Sequence, residues 1–132
     1  MTNQLVIENT SKFDFGKTVE LLVAEAESRD WKVPAVHDLQ KSLAKSGKSV
    51  KPVKVIEICK PQYSGKMLEL NHERIISVMM PCRISVYEKE DGLTYVSLIN
   101  AGDMVSGLPA NIAGVMKEAS DETFEIVKTI AG

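Results

Sequence analysis

The sequence predicts an α+β fold with a mainly antiparallel sheet of about five strands and helices packed on one face. Apolar runs with a period of two predict the strands, and apolar stripes at spacings of three and four predict the helices between them. The pair Asp91-Gly92, which is typical of a tight turn, separates two of these strands and indicates a hairpin. A chain of 132 residues can bury its own core, so we expect a single domain over positions 1–132.

The first half of the chain predicts a strand, a helix, a second strand and a short helix. The apolar run over Gln4–Glu8 predicts the opening strand, and Asp14 is a suitable N-cap for the amphipathic helix that follows. Trp31–Val36 predicts the second strand. Because Pro34 cannot donate to a ladder, we expect this strand to lie at an edge of the sheet. His37–Leu43 predicts the short helix.

The second half of the chain contains the clearest strand patterns. Val53–Cys59 is apolar on both faces, which is typical of a central strand, and a helix is expected over Gln62–Asn71 after a proline. Cys82–Glu88 and Leu93–Ile99 alternate on either side of the tight turn and predict the two strands of the hairpin. Ala110–Ile130 has helical spacing, and its pattern leaves open whether this helix is continuous.

Net charge and hydropathy bound the expected partners and location. The formal net charge is −2 and the isoelectric point is about 5.7, so we expect no nucleic-acid partner. No segment approaches the roughly 20 apolar residues that span a bilayer, so we expect no membrane partner. Met1–Ile7 lacks the pattern of a signal peptide, which predicts a cytoplasmic protein whose cysteines are reduced.

Two cysteine segments are the main candidates for chemistry. Cys59 ends one predicted strand and Cys82 begins the next, so antiparallel pairing would bring the two residues close together. Alternation places Glu57 and Cys59 on one face, and we expect a lysine or arginine such as Arg83 to pair with Glu57. The thiols are either small buried hydrophobes or a reactive pair beside a carboxylate.

Several segments resemble the bacterial and archaeal family known as domain of unknown function 302. They are Phe13-Asp14-Phe15 with Thr18-Val19, Trp31-Lys32-Val33, Ile56–Pro61 and Met80–Tyr87. The resemblance implies a compact α+β fold that forms a homodimer, and it assigns no reaction and no catalytic residues. Members of the family often have a glycine just before the second strand, where this chain has Arg29-Asp30.

These observations lead to two functional hypotheses. The first is a homodimeric binding or assembly domain with a cleft for a small apolar ligand or a soft metal, lined by Glu57, Cys59, Met80 and Cys82. The second is a thiol-dependent enzyme or redox protein that uses Cys59 or Cys82 as the thiolate, with Glu57 or His37 as the base.

Soft ligands for a metal ion or haem are also present in the sequence. Besides the two cysteines they are His37, His72, Met67, Met79 and Met80. No two of them are spaced three or four residues apart on one predicted helix, where they would share a face. The sequence therefore assigns no metal ligands, and the identity of a cofactor stays open.

Overall fold

A computed structural model describes residues 5–69, 72–80, 82–101 and 107–132 of the chain. The strands and helices follow one another in the predicted order, with one additional 3₁₀ helix. The elements are β1 (Val6–Thr10), α1 (Phe15–Ser28), β2 (Lys32–Asp38), α2 (Leu39–Ala44), β3 (Val53–Cys59), α3 (Pro61–Leu68), the 3₁₀ helix (His72–Met79), β4 (Cys82–Glu88), β5 (Thr94–Ile99) and α4 (Ala110–Lys128).

The five strands form one sheet in the order β1-β5-β4-β3-β2, and every neighbouring pair is antiparallel. This arrangement confirms the predicted α+β class, the central position of β3 and the hairpin of β4 and β5. Gly92 in the hairpin turn has a φ of 81°, a conformation that glycine adopts without steric cost. Pro34 lies in the edge strand β2, where the register shifts between Lys32 and Ala35. A missing backbone donor is tolerated at such a position.

The two faces of the sheet differ in burial, and this difference locates the core. One face carries the buried side chains of the three central strands, such as Ile56, Ile84 and Val96, and these pack with α1 and α4. We call it the helix face. Alternate residues form the opposite face, and none of those that the structure describes there is buried. We call this second surface the open face.

The ends of the first helix follow from local chemistry. Asp14 caps α1 by accepting a hydrogen bond from the Lys17 amide at 2.8 Å. The chain then reverses at Asp30, whose φ is 67°. This is the turn at which the resemblance implied a glycine. Aspartate is among the residues that tolerate the left-handed region, so the departure from glycine is accommodated here.

The structure fixes the ends of two predicted helices, adds a 3₁₀ helix and shows that the last helix is continuous. The short helix α2 begins at Leu39, because Asp38 caps it by accepting from the Lys41 amide at 2.9 Å. Helix α3 ends at Leu68, and the 3₁₀ helix that follows was not predicted. Helix α4 is continuous from Ala110 to Lys128, which answers the question that its sequence pattern left open.

Candidate functional site

A half-buried carboxylate joins four parts of the chain. Glu122 of α4 accepts hydrogen bonds from the Trp31 indole nitrogen at 2.9 Å, the Lys60 ammonium at 2.6 Å and the Tyr63 hydroxyl at 2.5 Å. We call these four residues the Glu122 network. Its members come from the residue before β2, the residue after β3, the first turn of α3 and the middle of α4.

Protonation in the Glu122 network is fixed by its hydrogen bonds. Burial alone would raise the pKa of Glu122, but the bonds from Lys60, Tyr63 and Trp31 outweigh it and the pKa is lowered. The same hydrogen bond from Tyr63, followed by burial, raises the pKa of the Tyr63 hydroxyl to about 12. At neutral pH the carboxylate is therefore ionised and fully occupied by donors, which is the state of an anchor rather than a proton carrier.

The register between β3 and β4 fixes how the two cysteines relate. Cys82 pairs with Ile58, so Cys59 lies one residue further along β3. Because side chains alternate, Cys82 points to the helix face with Ile58 and Cys59 points to the opposite side. The Cys59 thiol donates to the Ser64 hydroxyl at 3.5 Å, and both cysteines are free. Cβ vectors that point apart do not suit a disulfide.

Burial controls the reactivity of the second thiol. Desolvation, with a smaller contribution from the neighbouring Cys59, raises the pKa of Cys82 to about 11. Cys82 packs against the core on the helix face. At neutral pH nearly all of it is the neutral thiol, whereas a cysteine nucleophile needs the thiolate. The environment of Cys82 is therefore that of a packing residue.

The carboxylate expected beside the thiols lies on the open face. Glu57 is bonded to His37 at 2.5 Å, and the side chain of Glu57 is 18 % exposed. Arg83 is the cross-strand neighbour of Glu57, but the side chain that hydrogen-bonds to Glu57 is that of His37. This corrects the expected partner. Since Cys82 lies on the other side of the sheet, Glu57 is not placed to act as its base.

A cavity of about 280 Å³ lies on the helix face beside the start of β4. Of the four residues that the sequence placed in one cleft, Met80 and Cys82 line this cavity, whereas Glu57 and Cys59 do not. Three further methionines complete the sulfur lining: Met67, Met79 and Met116. The structure therefore brings together two of the four residues that the sequence placed in one cleft. The contributions of α3 and α4 were missed because no local pattern links them.

Two negative findings limit the chemistry. Among residues 5–69, 72–80, 82–101 and 107–132, no group of three or more His, Cys, Asp or Glu side chains is placed to hold a metal ion. This finding concerns only those four residue types and does not extend to methionine. In the same part of the chain, no helix has the length and apolar character needed to cross a membrane.

Comparison with known proteins shows which family this chain belongs to. The family model described as "Domain of unknown function DUF302" matches residues 7–130. The chain belongs to the DUF302 family. It is 30 % identical over 117 residues to an uncharacterized protein of Aquifex aeolicus (strain VF5), an alignment that covers 85 % of this chain and 74 % of that protein.

A solved structure shares the fold. The crystal structure of an uncharacterized conserved DUF302 protein from Bacillus stearothermophilus superimposes with a TM-score of 0.84, covering 95 % of this chain and 97 % of that one. The identity is 16 %, so this similarity shows the fold and carries no further inference about function.

The Glu122 network leads to a prediction about stability. We expect Glu122→Gln to lower the free energy of unfolding by about 1–3 kcal/mol at neutral pH, because Lys60 loses its charged partner in a half-buried site. The lowered pKa of Glu122 means that its contribution is complete above the ordinary value of 4.5 and is lost as pH falls through the folded-state pKa. Urea denaturation at about pH 7 and about pH 3 measures both effects.

The matched control is Glu118→Gln, an exposed glutamate one turn earlier on α4. It should change stability by less than about 0.5 kcal/mol. Equal losses for the two variants, or a loss for Glu122→Gln that stays the same in acid, would contradict the proposed anchor.

The buried thiol leads to a prediction about labelling. In a Cys59→Ser variant, we expect Cys82 of the folded protein to react with Ellman's reagent at least about tenfold more slowly than the same thiol in guanidinium. The raised pKa of Cys82 and the burial of its thiol both slow the reaction. Stopped-flow absorbance at mildly alkaline pH gives the rates. Labelling of folded Cys82 as fast as in denaturant would restore the thiolate hypothesis for this residue.

Proposed function

We propose that this protein binds a small apolar ligand in the methionine-lined cavity and acts as a cytoplasmic homodimer. The observation that carries the proposal is the lining itself, in which four thioethers and one neutral thiol surround about 280 Å³. Ligand sites are mostly apolar with a few polar groups, and this volume is just below the usual range for drug-sized ligands. The proposed ligand is therefore smaller than a typical drug.

Methionine suits such a site because its unbranched side chain adapts to irregular shapes and its sulfur interacts well with aromatic rings. Three polar residues also line the cavity: Arg83, Ser120 and Thr123. Ser120 and Thr123 from α4 are both buried at its wall, and the Thr123 hydroxyl already donates to the Ser120 carbonyl at 2.7 Å. Recognition would then depend on shape and dispersion, which favours a small aromatic or aliphatic molecule.

The 3₁₀ helix supplies a route of entry in this proposal. Val78 lies on it, lines the cavity and is 81 % exposed, so this wall is in contact with solvent on one side. Short 3₁₀ segments have poorer hydrogen-bond geometry than α-helices. Opening this wall would therefore cost less than displacing α4, whose buried face packs into the core.

The sulfur lining also favours a second occupant, a soft metal ion such as copper(I). Thioether and thiolate ligands select this ion over harder cations. Five sulfur-bearing residues around one cavity provide enough ligands of that kind. Copper content distinguishes the two occupants, because an apolar molecule leaves the protein free of metal.

The open face supports the homodimer in the proposal. It is a five-stranded surface without buried residues in the described part, and it carries the stacked rings of Tyr87 and Tyr95 with centroids 6.1 Å apart. Arg83 is exposed on the same face. Tyrosine and arginine are enriched at protein interfaces. A two-fold axis would place this face against its copy.

The cavity leads to a prediction about ligand binding. We expect indole, toluene or hexanol at saturation to raise the melting temperature by about 2–6 °C, because a ligand that binds only the folded state stabilises it. We expect Ala119→Leu, which adds bulk at a cavity-lining position that is 7 % exposed, to abolish that increase. Differential scanning fluorimetry measures the shift, and calorimetric titration measures the affinity.

Ala110→Leu at the exposed start of the same helix is the matched control and should respond like the unmodified protein. The apolar-ligand proposal is rejected if none of the three probes raises the melting temperature, or if Ala119→Leu responds like its control. Stoichiometric copper in the purified protein, lost in the Met116→Leu variant, would instead identify the soft metal as the occupant.

The open face leads to a separate prediction about assembly. We expect light scattering at micromolar concentrations to give twice the 14.5 kDa mass of one chain. Ser97→Arg places a charge beside Ser85 at the centre of the open face and should yield monomers. Ser28→Arg at the exposed end of α1 is the control and should remain dimeric. A monomeric unmodified protein would remove the dimer from the proposal.

A further inference from the structure

A local cluster of positive charge lies in α2 and the loop that follows it. The cluster consists of Lys41, Lys45, Lys48 and Lys51, all of which are exposed, and no aspartate or glutamate occurs between Leu39 and Ile56. We call residues 39–52 the lysine segment. No ion pair links its four lysines to the other residues that the structure describes. The rest of the chain carries an acidic excess, so the net charge of −2 conceals this segment.

Hydrogen bonds hold the lysine segment together as one unit. The Gln40 side chain donates to the Val50 carbonyl at 3.1 Å, and the Lys48 amide donates to the Leu43 carbonyl at 3.0 Å. Gly47 has a φ of 78° and makes the reversal between helix and loop. The helix and the loop therefore form one connected unit, and Lys41 and Lys48 line the same surface cleft.

Aliphatic side chains are exposed among these lysines. Leu39, Leu43 and Val50 are between 36 % and 40 % exposed, and α2 has no buried residue. Half-exposed leucines and valines beside unpaired lysines are typical of a segment that lies in the interface of a membrane, with its apolar groups at the boundary of the acyl chains. Lysines close to such a surface are attracted by anionic headgroups.

We propose that the lysine segment docks this protein on the surface of an anionic lipid membrane. The composition favours lipid over nucleic acid, because residues 39–52 contain no arginine and no aromatic residue. Base recognition and stacking depend mainly on those residue types. The proposal replaces the expectation of no membrane partner, which was based on the absence of a spanning segment. It is independent of the cavity.

Vesicle sedimentation tests the proposal. The full-length protein is mixed with vesicles of phosphatidylcholine alone or with about 30 mol% phosphatidylglycerol, at about 50 mM and about 500 mM sodium chloride. We expect binding only to the anionic vesicles, at least about tenfold weaker in high salt. The Lys45→Glu/Lys48→Glu variant should lose at least about tenfold in affinity.

The charge-matched control is Lys117→Glu/Lys128→Glu on α4, where both lysines are exposed and make only surface ion pairs. It should bind anionic vesicles within about twofold of the unmodified protein, and circular dichroism verifies that both variants are folded. Equal loss in the two variants would show a nonspecific charge effect and overturn the proposal. Absence of vesicle binding would overturn it too, as would tight binding of a DNA duplex in fluorescence anisotropy without vesicle binding.

Discussion

The ionised carboxylate of Glu122, which is 20 % exposed and accepts three hydrogen bonds, connects elements that are up to 91 residues apart in the sequence. Trp31 is 3 % exposed, so its indole N–H needs a partner inside the protein, and Glu122 supplies it. Lys60 and Tyr63 use the same carboxylate to position the end of β3 and the start of α3. This set of bonds adds a polar anchor to the apolar packing that holds α4 over the sheet and beside the cavity.

Strand alternation is the second constraint, because it assigns each polar group near the cysteines to one side of the sheet. Glu57 and His37 share the open face, whereas Cys82 points to the helix face. Glu57 is therefore near Cys82 along the paired strands, but the two side chains lie on opposite faces of the sheet. The thiolate-and-base hypothesis requires groups on one side, and the register separates Cys82 from the carboxylate that was expected to assist it.

Features that depend on neighbouring residues could be predicted from the sequence, and features that depend on distant ones could not. The bounds of β3 and β4, the cap at Asp14 and the turn at Gly92 follow from local spacing and were predicted correctly. The Glu122 network joins four distant positions, and its only local signal was a tryptophan that needs a partner. No helix was predicted over His72–Met79, where the 3₁₀ helix lies. Net charge averaged over the chain concealed the lysine segment.

The neutral state of Cys82 and the apolar character of the cavity are two consequences of the same burial. Removing the thiol from water raises its pKa to about 11, and the same removal of water leaves the methionine side chains without polar competitors. A charged thiolate in this lining would demand a counter-ion or water and would exclude an apolar guest. The environment that makes Cys82 a poor nucleophile is therefore the environment that a binding site for a small apolar molecule requires.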